Sequence, residues 1–146
     1  MLIYLDTCCL QRPLDDRTQP RINVEAEAIL TILGIIEKNY MGLVSSEALD
    51  YEISRIPDKS RESKVREILA ISNKYSIIND DIELRAKQYM EEGIKPMDAL
   101  HLASAIEMKV DYFCTTDDKL LKKAKKINAP FTKITSPLEL IMEIEN

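Results

Sequence analysis

The chain is predicted to be an α/β protein: a three-layer α/β/α sandwich built on a central, mostly parallel five-stranded sheet. Three observations carry that prediction. Short apolar segments of strand length alternate with longer segments of helical period. Strands separated by helices run parallel, and a parallel sheet needs cover on both faces. The 146 residues, 45% of them apolar, suffice for one core and not two, so residues 1–146 are expected to form a single domain.

The elements follow in order. Met1 to Asp6 reads as a buried strand, and a polar loop with Pro13, Asp15, Asp16 and Pro20 leads to a helix from about Arg21 to Asn39. Its inward stripe is expected to be Ala26, Ile29, Leu30, Leu33 and Ile36. Leu43 to Ser45 is a second strand, and Ser46 caps a helix carrying Glu47 to Arg55 that Pro57 ends. Helices near Ser60–Ser72 and Asp80–Glu92 flank a third strand, Tyr75 to Ile78. Gly93 stops the second of these helices, and Pro96 opens another that runs to Met108. Tyr112 to Thr115 is a fourth strand, after which Thr116 or Asp117 caps a helix through Ile127. A fifth strand spans Lys133 to Thr135, and Ser136-Pro137 begins the last helix.

Composition narrows the function. No apolar run is long enough to span a bilayer, and MLIYLD has neither a basic head nor a cleavage site, so a soluble, cytoplasmic protein without membrane partners is expected. Three cysteines without CxxC spacing argue against a zinc site or a disulfide framework, and Cys9 and Cys114 read as core residues. A formal net charge of −5 disfavours bulk electrostatic capture of nucleic acid. Lys119, Lys122, Lys123, Lys125 and Lys126 are most simply a solvated helix face, with a phosphate-contacting patch as the alternative.

Four carboxylates stand out because each falls where an apolar segment ends or on the apolar face of a helix: Asp6, Glu52, Asp98 and Asp117. Ionised acids in apolar surroundings need a cation or strong hydrogen bonds facing them. Asp6 and Asp117 fall at the carboxyl ends of the first and fourth strands, where parallel sheets bind ligands. Glu52 shares a stripe with Leu49, Ile53 and Ile56, whereas Glu47 projects from the opposite side and suits the helix dipole. Asp98 shares a face with Leu102, Ala105 and Ile106 in the first turn of its helix. Asp118 competes with Asp117 and ranks behind it, as Glu47 ranks behind Glu52. Thr7 and Thr116, each beside a candidate ligand, are placed to orient carboxylates, or else to serve as turn and cap residues.

Oxygen-only ligation of this kind suits Mg²⁺ or Mn²⁺. Such ions activate water for attack on phosphorus and stabilise the leaving oxygen. Arg12, Arg17 and Arg21, in the loop after the first strand, could border the pocket and hold a nucleic-acid backbone, with a solvated loop equally open. At 5% aromatic residues and no tryptophan, extensive base stacking is not encoded.

LDTCCL, VSSEALDYEI, PMDALHLASA and CTTDDKLL resemble, in order and spacing, the motifs of PIN-domain nucleases. The resemblance spans nearly the whole chain and points most closely to VapC-type toxins of toxin–antitoxin pairs. Carried over residue by residue, it makes Asp6, Glu52, Asp98 and Asp117 the catalytic and metal-binding acids. It implies a Mg²⁺- or Mn²⁺-dependent endoribonuclease, a homodimer, and an antitoxin protein as partner. Leu120 departs from the aromatic residue common at its position, and Glu47 offers a rival second acid. A non-catalytic PIN-fold scaffold for RNA or protein, or a solitary RNA-processing nuclease, is the alternative. A haloacid-dehalogenase-like phosphatase would need an Asp where Cys8 stands, and a receiver domain would need a lysine at the end rather than the start of the fifth strand.

Overall fold

The computed structural model describes residues 1–145. Five strands alternate with helices: β1 (Leu2–Leu5), β2 (Gly42–Ser46), β3 (Lys74–Ser76), β4 (Tyr112–Cys114) and β5 (Lys133–Thr135). They form one sheet in the order β3-β2-β1-β4-β5, every pairing parallel. The chain moves outward from β1 to β2 and β3, then returns to the other side of β1 for β4 and β5. The β1/β4 junction is therefore the place where strand order reverses, and the crevice beyond its carboxyl end is the natural ligand position.

The core is built from the strands' apolar residues. Ile3, Tyr4, Leu5, Leu43, Val44, Phe113 and Cys114 are fully buried, as a parallel sheet covered on both faces requires. Tyr4 stacks on Phe113, with ring centroids 5.6 Å apart. Cys9 is also fully buried, its Sγ 3.8 Å from that of Cys114, and both thiols are free. At Gly42, where β2 begins, a Cβ would meet Leu2 Cδ2 at 2.9 Å and Asn73 Oδ1 at 3.3 Å, so those side chains would have to give way.

Among the described residues, eight α-helices cover the sheet: α1 (Thr7–Gln11), α2 (Pro20–Glu37), α3 (Glu47–Ser54), α4 (Lys59–Leu69), α5 (Asp80–Glu91), α6 (Pro96–Glu107), α7 (Asp118–Ala124) and α8 (Pro137–Glu145). α2 packs against α8, α5 against α6, and α3 touches α1, α4 and α6. The starts are chemically marked. Asp6, Ser46, Asp58, Asn79 and Asp117 accept backbone N–H bonds as N-caps, each worth about 1 kcal/mol, and Pro opens α2, α6 and α8. Gly93, at φ 93°, closes α5 in the left-handed region.

Two sequence expectations are corrected here. The segment after β1 is not an open loop: α1 and a 3-10 turn at Arg12–Leu14 occupy it, begun by Asp6 acting as N-cap. Leu30 is 43% exposed, and Ile32 takes its place on the buried face of α2. At about 100° per residue, Leu30 lies a quarter-turn around from Ile29, at the edge of the stripe. α2 also buries Glu25, whose carboxylate lies 3.3 Å from Arg12 Nε and also faces Arg21. No described helix is long and apolar enough to cross a membrane.

Candidate functional site

Asp6 stands one residue beyond β1, and capping α1 fixes its side chain. Oδ1 accepts Thr7 N–H at 2.7 Å, and Oδ2 accepts the Thr115 hydroxyl at 2.9 Å. Asp6 is only 5% exposed, so these donors are what keep a carboxylate tenable there. Thr115, just past β4, also accepts the Asp117 N–H at 3.1 Å. One hydroxyl thus ties the first acid to the backbone of the fourth. The carboxylate of Asp117 caps α7 on Lys119 N–H and Leu120 N–H.

Glu52 reaches the same region from α3. The inward stripe expected of that helix is present: Leu49 and Ile53 are fully buried and Ile56 nearly so. Glu52 Oε1 lies 2.8 Å from Nε2 of His101, a fully buried ring on α6. A carboxylate can only accept, so the ring donates. Nδ1 of His101 lies 2.7 Å from the Tyr4 hydroxyl, which is 2.7 Å from Ser46 Oγ, and Ser46 Oγ accepts Leu49 N–H at 3.0 Å. This buried chain of hydrogen bonds fixes the ring that holds Glu52. Burial pushes the Glu52 carboxyl up, but the bond and charge of His101 outweigh it and hold it below its ordinary value. The same pairing, with Asp6 4.0 Å away, lifts His101 above its ordinary value against the opposing effect of burial.

Asp98 enters from the first turn of α6, one helical turn before His101. Among the described residues no hydrogen bond keeps it charged; burial, then the charges of Asp6 and Asp117, push it up to about 6. The charge of Glu52 acts on it in the same direction, so each of the other three acids is felt at Asp98. Asp6, Glu52, Asp98 and Asp117 line one open cavity of about 820 Å³ at the carboxyl end of the sheet.

The other candidates lie differently. Glu47 Oε1 accepts Ile78 N–H at 2.7 Å. Asp118 is exposed and engaged by both terminal nitrogens of Arg21, at 2.7 and 2.9 Å, which hold it below the usual carboxylate range. Thr7 lines the cavity, whereas Thr116 Oγ1 accepts from Arg12 Nη2 at 3.0 Å. Arg12 spends the rest of its guanidinium on Asp15 and Glu25, and Arg17 pairs with Glu27. The five lysines of residues 119–126 are all exposed.

Two residues of the site had not been singled out from the sequence. His101 carries no local signature of a site in the sequence, although its spacing of three from Asp98 puts both on one helical face. Thr115 was passed over for its neighbour Thr116, although it stands two residues before Asp117 at a strand end.

The residues fit a hard divalent cation. One oxygen each of Asp6 and Glu52 and a nitrogen of His101 lie within 4.8 Å of one another. Both His101 nitrogens are already engaged, so the ring orients Glu52 and the available donors are carboxylate oxygens, the set that Mg²⁺ and Mn²⁺ prefer. Thr7 Oγ1, buried in the same cavity, has no hydrogen-bond partner, and Asp98 is left facing like charges. A cation with its hydrating waters would answer both.

No curated protein matches the chain. Among solved structures, the fold is similar to one described as the crystal structure of VapBC2 from Rickettsia felis bound to a DNA fragment from their promoter. That match has a TM-score of 0.57 and 15% identity over 92% of this chain and 98% of the other. The family model of the PIN domain matches residues 3–126, a span that runs from within β1 through α7 and includes all four acids; the chain belongs to the PIN domain family.

Proposed function

We propose that the protein is a metal-dependent endoribonuclease that hydrolyses phosphodiesters in the four-carboxylate pocket, and that it is the toxin of a type II toxin–antitoxin pair. The observation that carries the proposal is the convergence of Asp6, Glu52, Asp98 and Asp117 on one open cavity where strand order reverses. When bound, Mg²⁺ or Mn²⁺ supplies the Lewis acidity that activates water and neutralises charge on phosphate.

The chain's own residues do the rest. Asp6, Glu52, Asp98 and Asp117 would hold the ion. Thr115 and His101 keep two of those carboxylates aimed, and Thr7 Oγ1 offers a free hydroxyl to an incoming water or phosphate oxygen. No side-chain nucleophile is needed; the Cys8 thiol donates to Asp6 Oδ2 at 3.4 Å. The similar solved structure is a complex of the VapBC type, which supports an antitoxin protein as partner; a cytoplasmic setting is part of the same proposal.

Purified protein should cleave RNA with Mg²⁺ or Mn²⁺, a chelator should stop it, and Asp6→Asn should abolish it without loss of fold. Expression should arrest growth, with relief by Asp6→Asn or by co-expression of a small protein encoded beside it. Cleavage without growth arrest would keep the nuclease and discard the toxin, in favour of a solitary RNA-processing enzyme.

A further inference from the structure

Asp117 is exposed, and no side chain among the described residues donates to its carboxylate; Oδ1 caps α7 on Lys119 N–H and Leu120 N–H. Its place in the site is therefore set by the backbone of residues 115–117, which join β4 to α7. Thr115 holds the Asp117 N–H from the sheet side. The residues on either side of Asp117 are each held by an arginine. Thr116 Oγ1 accepts from Arg12 Nη2 at 3.0 Å, and Asp118 accepts from both terminal nitrogens of Arg21.

The two arginines share one counter-charge. Glu25, on α2, is only 5% exposed; its Oε1 lies 3.3 Å from Arg12 Nε and its Oε2 3.5 Å from Arg21 Nε. The first contact lacks the alignment of a hydrogen bond, so Oε1 and Nε hold each other by charge. Arg12 comes from the 3-10 turn after α1, and Arg21 lies one helical turn before Glu25 on α2. Asp15 takes Nη1 of Arg12 at 2.9 Å and is itself held by Arg61 of α4 at 2.8 Å, which leaves the Arg12 guanidinium little freedom.

A carboxylate this far from water has to be paired. A buried ion pair adds little stability over an apolar pair of similar volume, so what this network contributes is geometry. It places one guanidinium on Thr116 and another on Asp118, with one acid between them. Neither arginine nor Glu25 lines the cavity of the four acids, so all three act on the site from behind.

We propose that Glu25 is a positioning residue of the cation site: through Arg12 on Thr116 and Arg21 on Asp118 it brackets Asp117 and fixes where the fourth carboxylate stands. The inference rests on the reading of the four acids as a cation site and deepens it by naming a buried acid outside the cavity on which that site depends. Arg12 is on this account a support of the acids and not a contact for nucleic acid.

Two readouts test it. In metal-free protein, amide hydrogen exchange at Asp117, Lys119 and Leu120 reports how firmly the segment is held. Exchange should be faster in Glu25→Gln and in Thr116→Val than in the wild type, and unchanged in Glu27→Gln, which alters an exposed acid of the same helix. Mn²⁺ affinity, followed by the electron paramagnetic resonance of the free ion, should fall roughly tenfold in Glu25→Gln, the low end for loss of an outer-shell partner. That loss should vanish in an Asp117→Asn background and persist in full in an Asp6→Asn background, because Glu25 acts through Asp117. A general loosening of the fold would weaken both backgrounds alike. Arg12→Lys keeps the charge facing Glu25 but has no second nitrogen for Thr116, and should reproduce the loss.

Exchange in Glu25→Gln and Thr116→Val equal to that of the wild type, or equal losses of affinity in the Asp6→Asn and Asp117→Asn backgrounds, would overturn the assignment. Should Glu25→Gln fail to fold, Thr116→Val and Arg12→Lys, which keep Glu25 charged, decide it in the same way. Absence of Mn²⁺ binding in the wild type would instead remove the cation reading, and the exchange comparison would still decide whether Glu25 holds the segment.

Discussion

His101 donates a hydrogen bond from Nε2 to Glu52 Oε1 at 2.8 Å, from a ring with no exposure to solvent. This contact turns a half-buried acid on α3 into a fixed one and ties it to the helix that carries Asp98. Its energetic weight lies in what its loss would leave behind. Glu52 would remain charged beside three other acids without its strongest donor, and the Tyr4 hydroxyl would keep only Ser46.

His101→Phe should therefore cost about 2–3 kcal/mol in urea unfolding, because buried polar groups left unpaired carry their full desolvation penalty. The pH dependence has a definite sign. The lowered Glu52 contributes stability above its unfolded value of 4.5, lost as pH falls; the raised His101 contributes below its unfolded value of 6.5, lost as pH rises through its folded value. The pair's contribution is greatest between those two values. Unfolding curves of wild type and His101→Phe that stay a constant distance apart from pH 4 to pH 8 would refute the pairing.

Asp98 gives the opposite slope. Its folded carboxyl is pushed up to about 6 from an ordinary 3.8, so between those values the folded chain binds more protons than the unfolded one. Without metal, stability should fall as pH rises through that window. Asp98→Asn should remove the slope and, at pH 7, stabilise the metal-free protein by about 1–2 kcal/mol after allowing for solvent screening. Differential scanning calorimetry in chelator, at pH 4, 5, 6 and 7, measures it. A destabilised Asp98→Asn at pH 7 would show that the acid is satisfied without a cation.

Thr115→Val keeps the shape of the side chain and removes the hydroxyl that Asp6 accepts and that receives Asp117 N–H. Metal affinity should fall about 10- to 100-fold, the usual effect of losing an outer-shell partner. Thr135, equally buried at the end of the neighbouring strand, has a hydroxyl with no partner. Thr135→Val should leave metal affinity alone and change stability little or raise it. Equal effects of the two substitutions would deny Thr115 its orienting role.

The sequence disclosed most of the sheet, because a parallel strand buried on both faces is apolar throughout and cannot hide. Helix starts were legible for a related reason: Ser46, Pro96 and Ser136-Pro137 are chemical markers read one residue at a time. The α1 turn escaped because it is five residues long and its cap, Asp6, had already been assigned to chemistry. In the structure that one carboxylate serves both purposes. Leu30 was misplaced because a stripe read from apolar identity alone cannot tell the edge of a face from its centre.

The preference for Glu52 over Glu47 came from helix geometry, and the structure shows why the two differ. One helical face meets α6, and the other meets the chain after β3, where Ile78 N–H takes the Glu47 carboxylate. His101 and Thr115 were harder, since their partners lie 49 and 109 residues away in sequence. Contacts of that range are created by the strand order and have no local signature.

The central claim is that these four acids, and not their neighbours, make one cation site. Calorimetric titration of Mn²⁺ into the metal-free protein at pH 7 tests it most directly. Binding should be detected in the wild type with release of protons, and should weaken at least tenfold in Asp6→Asn, Glu52→Gln and Asp98→Asn. Glu47→Gln and Asp118→Asn should bind as the wild type does. Unchanged affinity in Asp98→Asn, or a loss in Glu47→Gln equal to that in Glu52→Gln, would contradict the account.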